Sequence, residues 1–212
     1  MIPIQPYRLL WLACIFLQIF NAHSHSKEVV KVTVFYETLC PDCIDFFVGQ
    51  IAPAWRDLKT HIKFDLVPYG HAKQNYTGEQ WSFSCQHGEK ECRYNKLHAC
   101  FMKKEKSKNK LIPLLTCLMR DKDEGHNLKK CARKYKVNLS QIKSCWKGKE
   151  GDALLAKYGD RTHNFRPIIR FVPTIVFNGV FDRPSHEQAL INLPKVVCKR
   201  LQKKPEVCEK YQ

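Results

Sequence analysis

The chain has 212 residues, 44% hydrophobic and 26% charged, with a formal net charge of +16 and no low-complexity tract. That length supports one sizeable core with room for an inserted subdomain. The positive excess is spread along the chain without an arginine-rich segment interleaved with aromatics. It therefore reads as a lysine-rich solvated surface, open to acidic partners or anionic membranes, and not as a nucleic-acid footprint.

At the N-terminus Arg8 precedes the apolar run LLWLACIFLQIF, followed by small residues at Ala22 and Ser24. This is a secretory signal pattern. The run is about a dozen residues, short of the roughly 20 that cross a bilayer, and an uncleaved anchor is the lesser alternative. Residues 1–24 are expected to be a cleaved signal peptide, with the mature chain opening between His23 and Ser26, and 25–212 one domain with no transmembrane segment. Of the 11 cysteines, Cys14 leaves with the leader. Cys40, Cys43, Cys85, Cys92, Cys100, Cys117, Cys131, Cys145, Cys198 and Cys208 remain, an even number that in this compartment points to disulfides. The sequons at Asn75 and Asn138 predict glycosylation and agree with that compartment.

Residues 29–36, VVKVTVFY, alternate at Val30, Val32, Val34 and Tyr36 and predict a strand. From Cys43 the period becomes helical, with Ile44, Phe47, Val48, Ile51, Trp55 and Leu58 on one face and a kink expected where Pro53 crowds Gly49. Ile62, Phe64 and Leu66 alternate with Lys63 and Asp65 in a second strand, which completes a βαβ unit. Residues 77–165 read as short helices broken by charged turns and carrying six cysteines. Asn138 or Ser140 is a candidate cap, and Gly148 and Gly159 are candidate helix ends. After this insertion Thr174–Phe177 is a strand, Asn178–Gly179 a tight hairpin turn, and Val180–Phe181 the start of a return strand. A last amphipathic helix runs from about Pro184 to Leu201 with a break at Pro194. The expected architecture is α/β in the order βαβ, helical insertion, ββα, its core formed by 29–76 and 166–204, with a disulfide-stapled helical insertion at about 77–165.

The pair in LCPDC, Cys40 and Cys43, admits three readings. Zinc needs a second ligand pair, and Cys85, His87, Cys92, His98 and Cys100 are the nearest candidates; but thiolate–metal sites are uncommon in an oxidising pathway, and no metal is expected. A structural Cys40–Cys43 disulfide is the second. The third is a redox dithiol. Cys40 at the N-cap of the following helix meets unpaired N–H groups and the positive end of the helix dipole, both favouring thiolate. Cys43, one turn on, is placed to resolve a mixed disulfide, and Pro41 suits a first turn that needs no donor. Asp42 opposes the shift with its own charge. Phe171–Thr174, FVPT, supplies a second element: a cis Pro173 here would lie opposite the dithiol and leave the Val172 backbone free to pair with an extended substrate. The alternative is an ordinary trans proline at a strand start.

The segment CQHGEKECRYNKLHAC fits C-Q-H-G-x2-E-C-x2-N-x4-C at every fixed position: Cys85, Gln86, His87, Gly88, Glu91, Cys92, Asn95 and Cys100. With CPDC upstream, the chain resembles the gamma-interferon-inducible lysosomal thiol reductase (GILT) family over essentially the whole mature chain. The resemblance implies a thioredoxin-like fold with a disulfide-stapled helical insertion, and a reductase of protein disulfides in acidic compartments, lysosomal or endosomal, with secretion the other address. Cys40 is then the attacking thiolate and Cys43 the resolving thiol. The signature cysteines are then structural, and His87 is a hydrogen-bonded structural histidine or an acid–base helper. No bound cofactor is expected; a small thiol, cysteine or glutathione, would return the electrons. Disulfide-bonded proteins are the expected partners. The rivals are a secretory-pathway oxidase or isomerase, because direction depends on reduction potential, and a non-catalytic secreted binding protein. Among the remaining cysteine pairings only Cys198–Cys208 suggests itself, on proximity.

Overall fold

The computed structural model describes residues 28–120 and 124–212; the expected leader, with Cys14, lies outside them. β1 (Val30–Tyr36) is the middle strand of a three-stranded sheet, and both of its faces are covered. That is why its alternation gives way to the continuous apolar run Val34–Tyr36. β2 (Ile62–Pro68) lies parallel to it, in register from Val30↔Ile62 to Tyr36↔Pro68. A parallel pair needs a crossover, here α1 (Pro41–Phe46), a π-helical segment (Phe47–Ile51) and α2 (Ala52–Leu58). Pro53 has no N–H to offer the Gly49 carbonyl, and the helix widens just before it. The Ala52 N–H reaches back to the Phe47 oxygen, five residues away.

The expected insertion, 77–165, is not wholly helical. A hairpin of β3 (Lys73–Tyr76) and β4 (Trp81–Ser84) straddles its first residue. Tyr76, Trp81 and Phe83 stack along it, with ring centroids 4.8 and 6.3 Å apart, and Gly78 turns the chain at φ +91°. Then come α3 (Gly88–Lys104), α4 (Lys108–Arg120), α5 (Glu124–Lys134), α6 (Leu139–Lys147) and α7 (Lys149–Asn164). Disulfides tie these pieces together: Cys85–Cys92 joins the hairpin's end to α3, Cys100–Cys145 joins α3 to α6, and Cys117–Cys131 joins α4 to α5. The Asn138 side chain caps α6 by accepting from the Ser140 N–H at 2.9 Å, and Gly148 ends that helix. Gly159 ends nothing. It sits inside α7 because Tyr69 packs against the helix there, and a Cβ at 159 would lie 2.6 Å from the ring.

After the insertion β5 (Thr174–Phe177) pairs antiparallel with β1, completing the order β2-β1-β5. Asn178 and Gly179 take positive φ, 51° and 86°, and make the expected tight turn. The expected return strand shrinks to one bridge, Phe177↔Val180. Asp182 caps the next helix by accepting from the Ser185 N–H, and this starts α8 (Arg183–Arg200) too soon for a strand to grow. The break in α8 falls at Asn192, two residues before Pro194. Gln50 of the π segment braces it, donating to the Ile191 carbonyl and accepting from the Leu193 N–H, each at 3.0 Å. Cys198–Cys208 pins a final 3-10 turn (Glu206–Tyr211) back onto α8.

Candidate active site

β1 delivers the chain at its C-terminal end into the turn Glu37–Leu39, and Cys40 follows as N-cap of α1 with extended φ and ψ of −65° and 123°. Pro41 occupies the first helical turn, and the Ile44 N–H closes on the Cys40 carbonyl at 3.0 Å. One turn on, Cys43 points into the core and is completely buried. These two are the free thiols among the described residues; the other eight cysteines are paired. The zinc reading therefore fails, since Cys85, Cys92 and Cys100 hold disulfides and the buried His98 ring pairs with the Tyr36 hydroxyl at 2.9 Å.

The two thiols shift in opposite directions. Cys40 is lowered to about 6, chiefly by the hydrogen bond from the Cys43 thiol, then by the backbone N–H groups of Cys43 and Asp42. Burial and the Asp42 charge oppose this without cancelling it. Asp42 thus acts both ways: its carboxylate disfavours the thiolate while its N–H favours it. Cys43 is pushed well up, first by burial and then by the hydrogen bond and charge of Cys40.

Opposite the dithiol stands the loop before β5. The Val172–Pro173 bond is cis, and so is Arg166–Pro167, which the sequence did not suggest. The Cys40 sulfur lies 3.9 Å from the Val172 carbonyl oxygen. His186 of α8 supports this loop from behind, with its ring 4.8 Å from that of Phe171 and its Nδ1 accepting from the Ile175 N–H at 3.4 Å.

Behind the turn, the segment running into α3 forms a clamp. Asn95 Oδ1 accepts from the Thr38 N–H at 3.0 Å and from the Thr38 hydroxyl at 2.7 Å. The fully buried Glu37 carboxylate accepts from the His71 N–H at 2.7 Å. Gln86, its amide turned to donate, reaches both Glu37 oxygens at 3.1 and 3.2 Å. His87 Nδ1 lies 2.6 Å from Glu91 and 3.5 Å from Glu37, and Gly88, at φ +80°, turns the chain from His87 into the helix. Glu37, His87 and Glu91 bring three potential ligand atoms together. Their donors and acceptors are engaged with one another and with Gln86 and His71, and no metal is assigned to them. His87 is part of this network, held by Glu91.

A family profile described as gamma interferon inducible lysosomal thiol reductase (GILT) matches residues 31–135. A GILT-like protein of Anopheles gambiae is 30% identical over 94% of this chain and 88% of its own length. The chain belongs to the GILT family. The thiol reductase of Mus musculus in this family is 31% identical over 84% of the chain and 71% of its own length. In fold the chain is similar to oxidised BdbD from Bacillus subtilis, with a TM-score of 0.54 at 16% identity, covering 76% of this chain and 88% of that one. This GILT-family chain is a thiol-disulfide oxidoreductase on a thioredoxin-like fold.

Sequence reasoning picked out Cys40, Cys43, Val172 and Pro173, which the fold brings to one place. It left Glu37 and Thr38 unremarked. The available signal was a carboxylate at the end of an apolar strand, three residues before the first thiol, where burial would follow from the strand's own pattern. Asn75 and Asn138 are both exposed.

Proposed function

We propose that this GILT-family chain reduces protein disulfides at acidic pH. The Cys40 thiolate attacks a substrate disulfide; a Cys40–substrate bond forms, and one substrate sulfur leaves as thiolate and takes a proton from solvent. Cys43 then attacks Cys40. The Cys40–Cys43 bond forms, the second substrate sulfur leaves and is protonated, and two electrons have passed from the dithiol to the substrate. Two equivalents of a small thiol, cysteine or glutathione, restore the dithiol. Val172 offers its backbone to the extended substrate beside Cys40. Glycans at Asn75 and Asn138, a leader at 1–24, and an endolysosomal or secreted address belong to the same reading. Among the described residues no helix is long and apolar enough to cross a membrane.

The observation that carries this reading is the lowered Cys40 thiol against the raised Cys43 thiol. An ordinary thiol is thiolate to about three parts in ten thousand at pH 5, whereas one near 6 is thiolate to about one part in ten. The best attacking thiol has a pKa close to the ambient pH. The test is reduction of a denatured, disulfide-bonded protein at pH 4.5 and pH 7 by the parent, Cys40→Ser and Cys43→Ser. Acid activity lost in Cys40→Ser, with a mixed disulfide trapped in Cys43→Ser, is the expected result. Activity confined to neutral pH would sink the acid-reductase reading in favour of an oxidase or isomerase. A binding protein would be indifferent to both changes.

A further inference from the structure

Two buried carboxyls of the site, Glu37 and Glu91, take no part in that cycle; Glu91 is held by His87 at 2.6 Å, and Glu37 lies three residues before Cys40. Glu37 has no exposed surface and, among the described residues, no arginine or lysine partner; what reaches its carboxylate is the His71 N–H, the Gln86 amide and, at 3.5 Å, the His87 ring. Its own backbone N–H points at the Cys43 sulfur, 3.5 Å away. Gly70, at φ +60°, has no Cβ because the Glu37 side chain fills that space: a Cβ there would lie 2.2 Å from it. Three elements thus converge to keep a carboxyl next to the dithiol.

We infer that Glu37 is a positioning residue of the dithiol, its charge state setting how readily Cys43 gives up its proton in the resolving step. This rests on the reductase reading and deepens it. The groups facing Glu37 are Cys40 and Cys43 from α1, Gln86, His87 and Glu91 from α3 and the turn before it, and the His71 N–H from the β2–β3 connection. Burial, opposed by the His71 N–H and reinforced by the charges of Glu91 and Cys40, holds the Glu37 carboxyl up to about 7. At acid pH the group is neutral and leaves Cys43 free to ionise as it attacks. Burial chiefly keeps the Cys43 proton in place, and the Glu37 backbone N–H works against it; once Glu37 ionises, its charge adds a smaller increment on the side of burial. When Cys40 is tied up in a mixed disulfide its thiolate charge is gone, so Glu37 ionises at lower pH in that intermediate than in the free dithiol. Proton transfer itself goes to solvent and the leaving thiolate; Glu37 acts through the field it imposes on Cys43.

The test isolates the resolving step. Cys40 is loaded as its mixed disulfide with thionitrobenzoate, and release of the coloured thiolate by Cys43 is followed from pH 5 to pH 8. The parent rate should climb with pH and then bend over as Glu37 ionises. Glu37→Gln, which keeps the shape and removes the charge, should match the parent at pH 5, show no bend, and run roughly three- to tenfold faster at pH 8. Gln86→Met is the companion variant: Gln86 is exposed, so the fold tolerates the change, and loss of its amide moves the bend to higher pH. A merely structural role would lower rates at all pH values alike. Parallel profiles for the parent and both variants would overturn the inference alone; release that does not depend on Cys43 would overturn the dithiol roles and the inference with them.

Discussion

At the scale of single residues, Asp42 is the point where two electrostatic effects of one amino acid can be separated. Its carboxylate raises the Cys40 pKa while its backbone N–H lowers it. Asp42→Asn removes the first and keeps the second, so the Cys40 midpoint should fall below about 6, by a few tenths of a unit because Asp42 is exposed and screened. Thiolate absorbance of the reduced protein titrated against pH measures this, and the difference should narrow in high salt. An unchanged or raised midpoint would remove Asp42 from the electrostatics of the site. The role of Cys40 was legible in sequence because its environment is local: the end of a strand, an N-cap, Pro41 in the first turn. Glu37 was not, since its partners His71, Gln86, His87 and Glu91 lie 34 or more residues away and only the fold assembles them. The same distance hid the reason for the signature. Its glutamine, Gln86, and its asparagine, Asn95, bind Glu37 and Thr38 of the turn before Cys40, while its glutamate, Glu91, holds His87, and no pattern within the segment points there.

At the scale of elements, two glycines inside helices should respond oppositely to one change. Gly49 lies exposed in the π segment, and an added Cβ would meet nothing within 4 Å. Gly49→Ala should stabilise the protein by about 0.5–1 kcal/mol, the usual helical preference for alanine. Gly159→Ala carries the same preference but meets the Tyr69 ring at 2.6 Å and the end of Gln74 at 2.0 Å. Gln74 is a flexible side chain and can move; Tyr69 is fully buried and cannot, so overpacking should win by about 1–3 kcal/mol. Urea midpoints of the two variants should fall on opposite sides of the parent, and midpoints shifted the same way would refute this packing account. The helices themselves were legible from their period, and the short elements were not. The β3–β4 hairpin is held by three stacked aromatics in a polar stretch too short for alternation to register. The return strand after Gly179 lost to the Asp182 cap, a contest that turn chemistry alone does not decide.

At the scale of the whole molecule, the acid working range proposed above requires stability there, and two buried groups pull on it in opposite senses. Burial lowers the His98 pKa from 6.5 to about 3. The unfolded chain therefore binds the extra proton, and stability is lost as pH falls from 6.5 toward 3. Glu37, raised from 4.5 to about 7, does the reverse: the folded chain binds the extra proton, and stability grows as pH falls from 7 to 4.5. At about 1.4 kcal/mol per pKa unit, and with each group only partly titrated at one end of the window, each effect amounts to roughly 2 kcal/mol between pH 6.5 and pH 4.5, and over that window they offset one another. His186, lowered by burial, adds to the His98 side, while the lowered carboxyls of Asp57, Asp65 and Asp182 act below the window. The parent should lose little stability across the window. Glu37→Gln leaves the histidines unopposed, so its stability, read from urea unfolding at pH 6.5 and pH 4.5, should drop by roughly 2 kcal/mol more than the parent's. Equal drops in the two proteins would mean that Glu37 is already ionised in the acid range, and the offset would have to come from elsewhere in the fold.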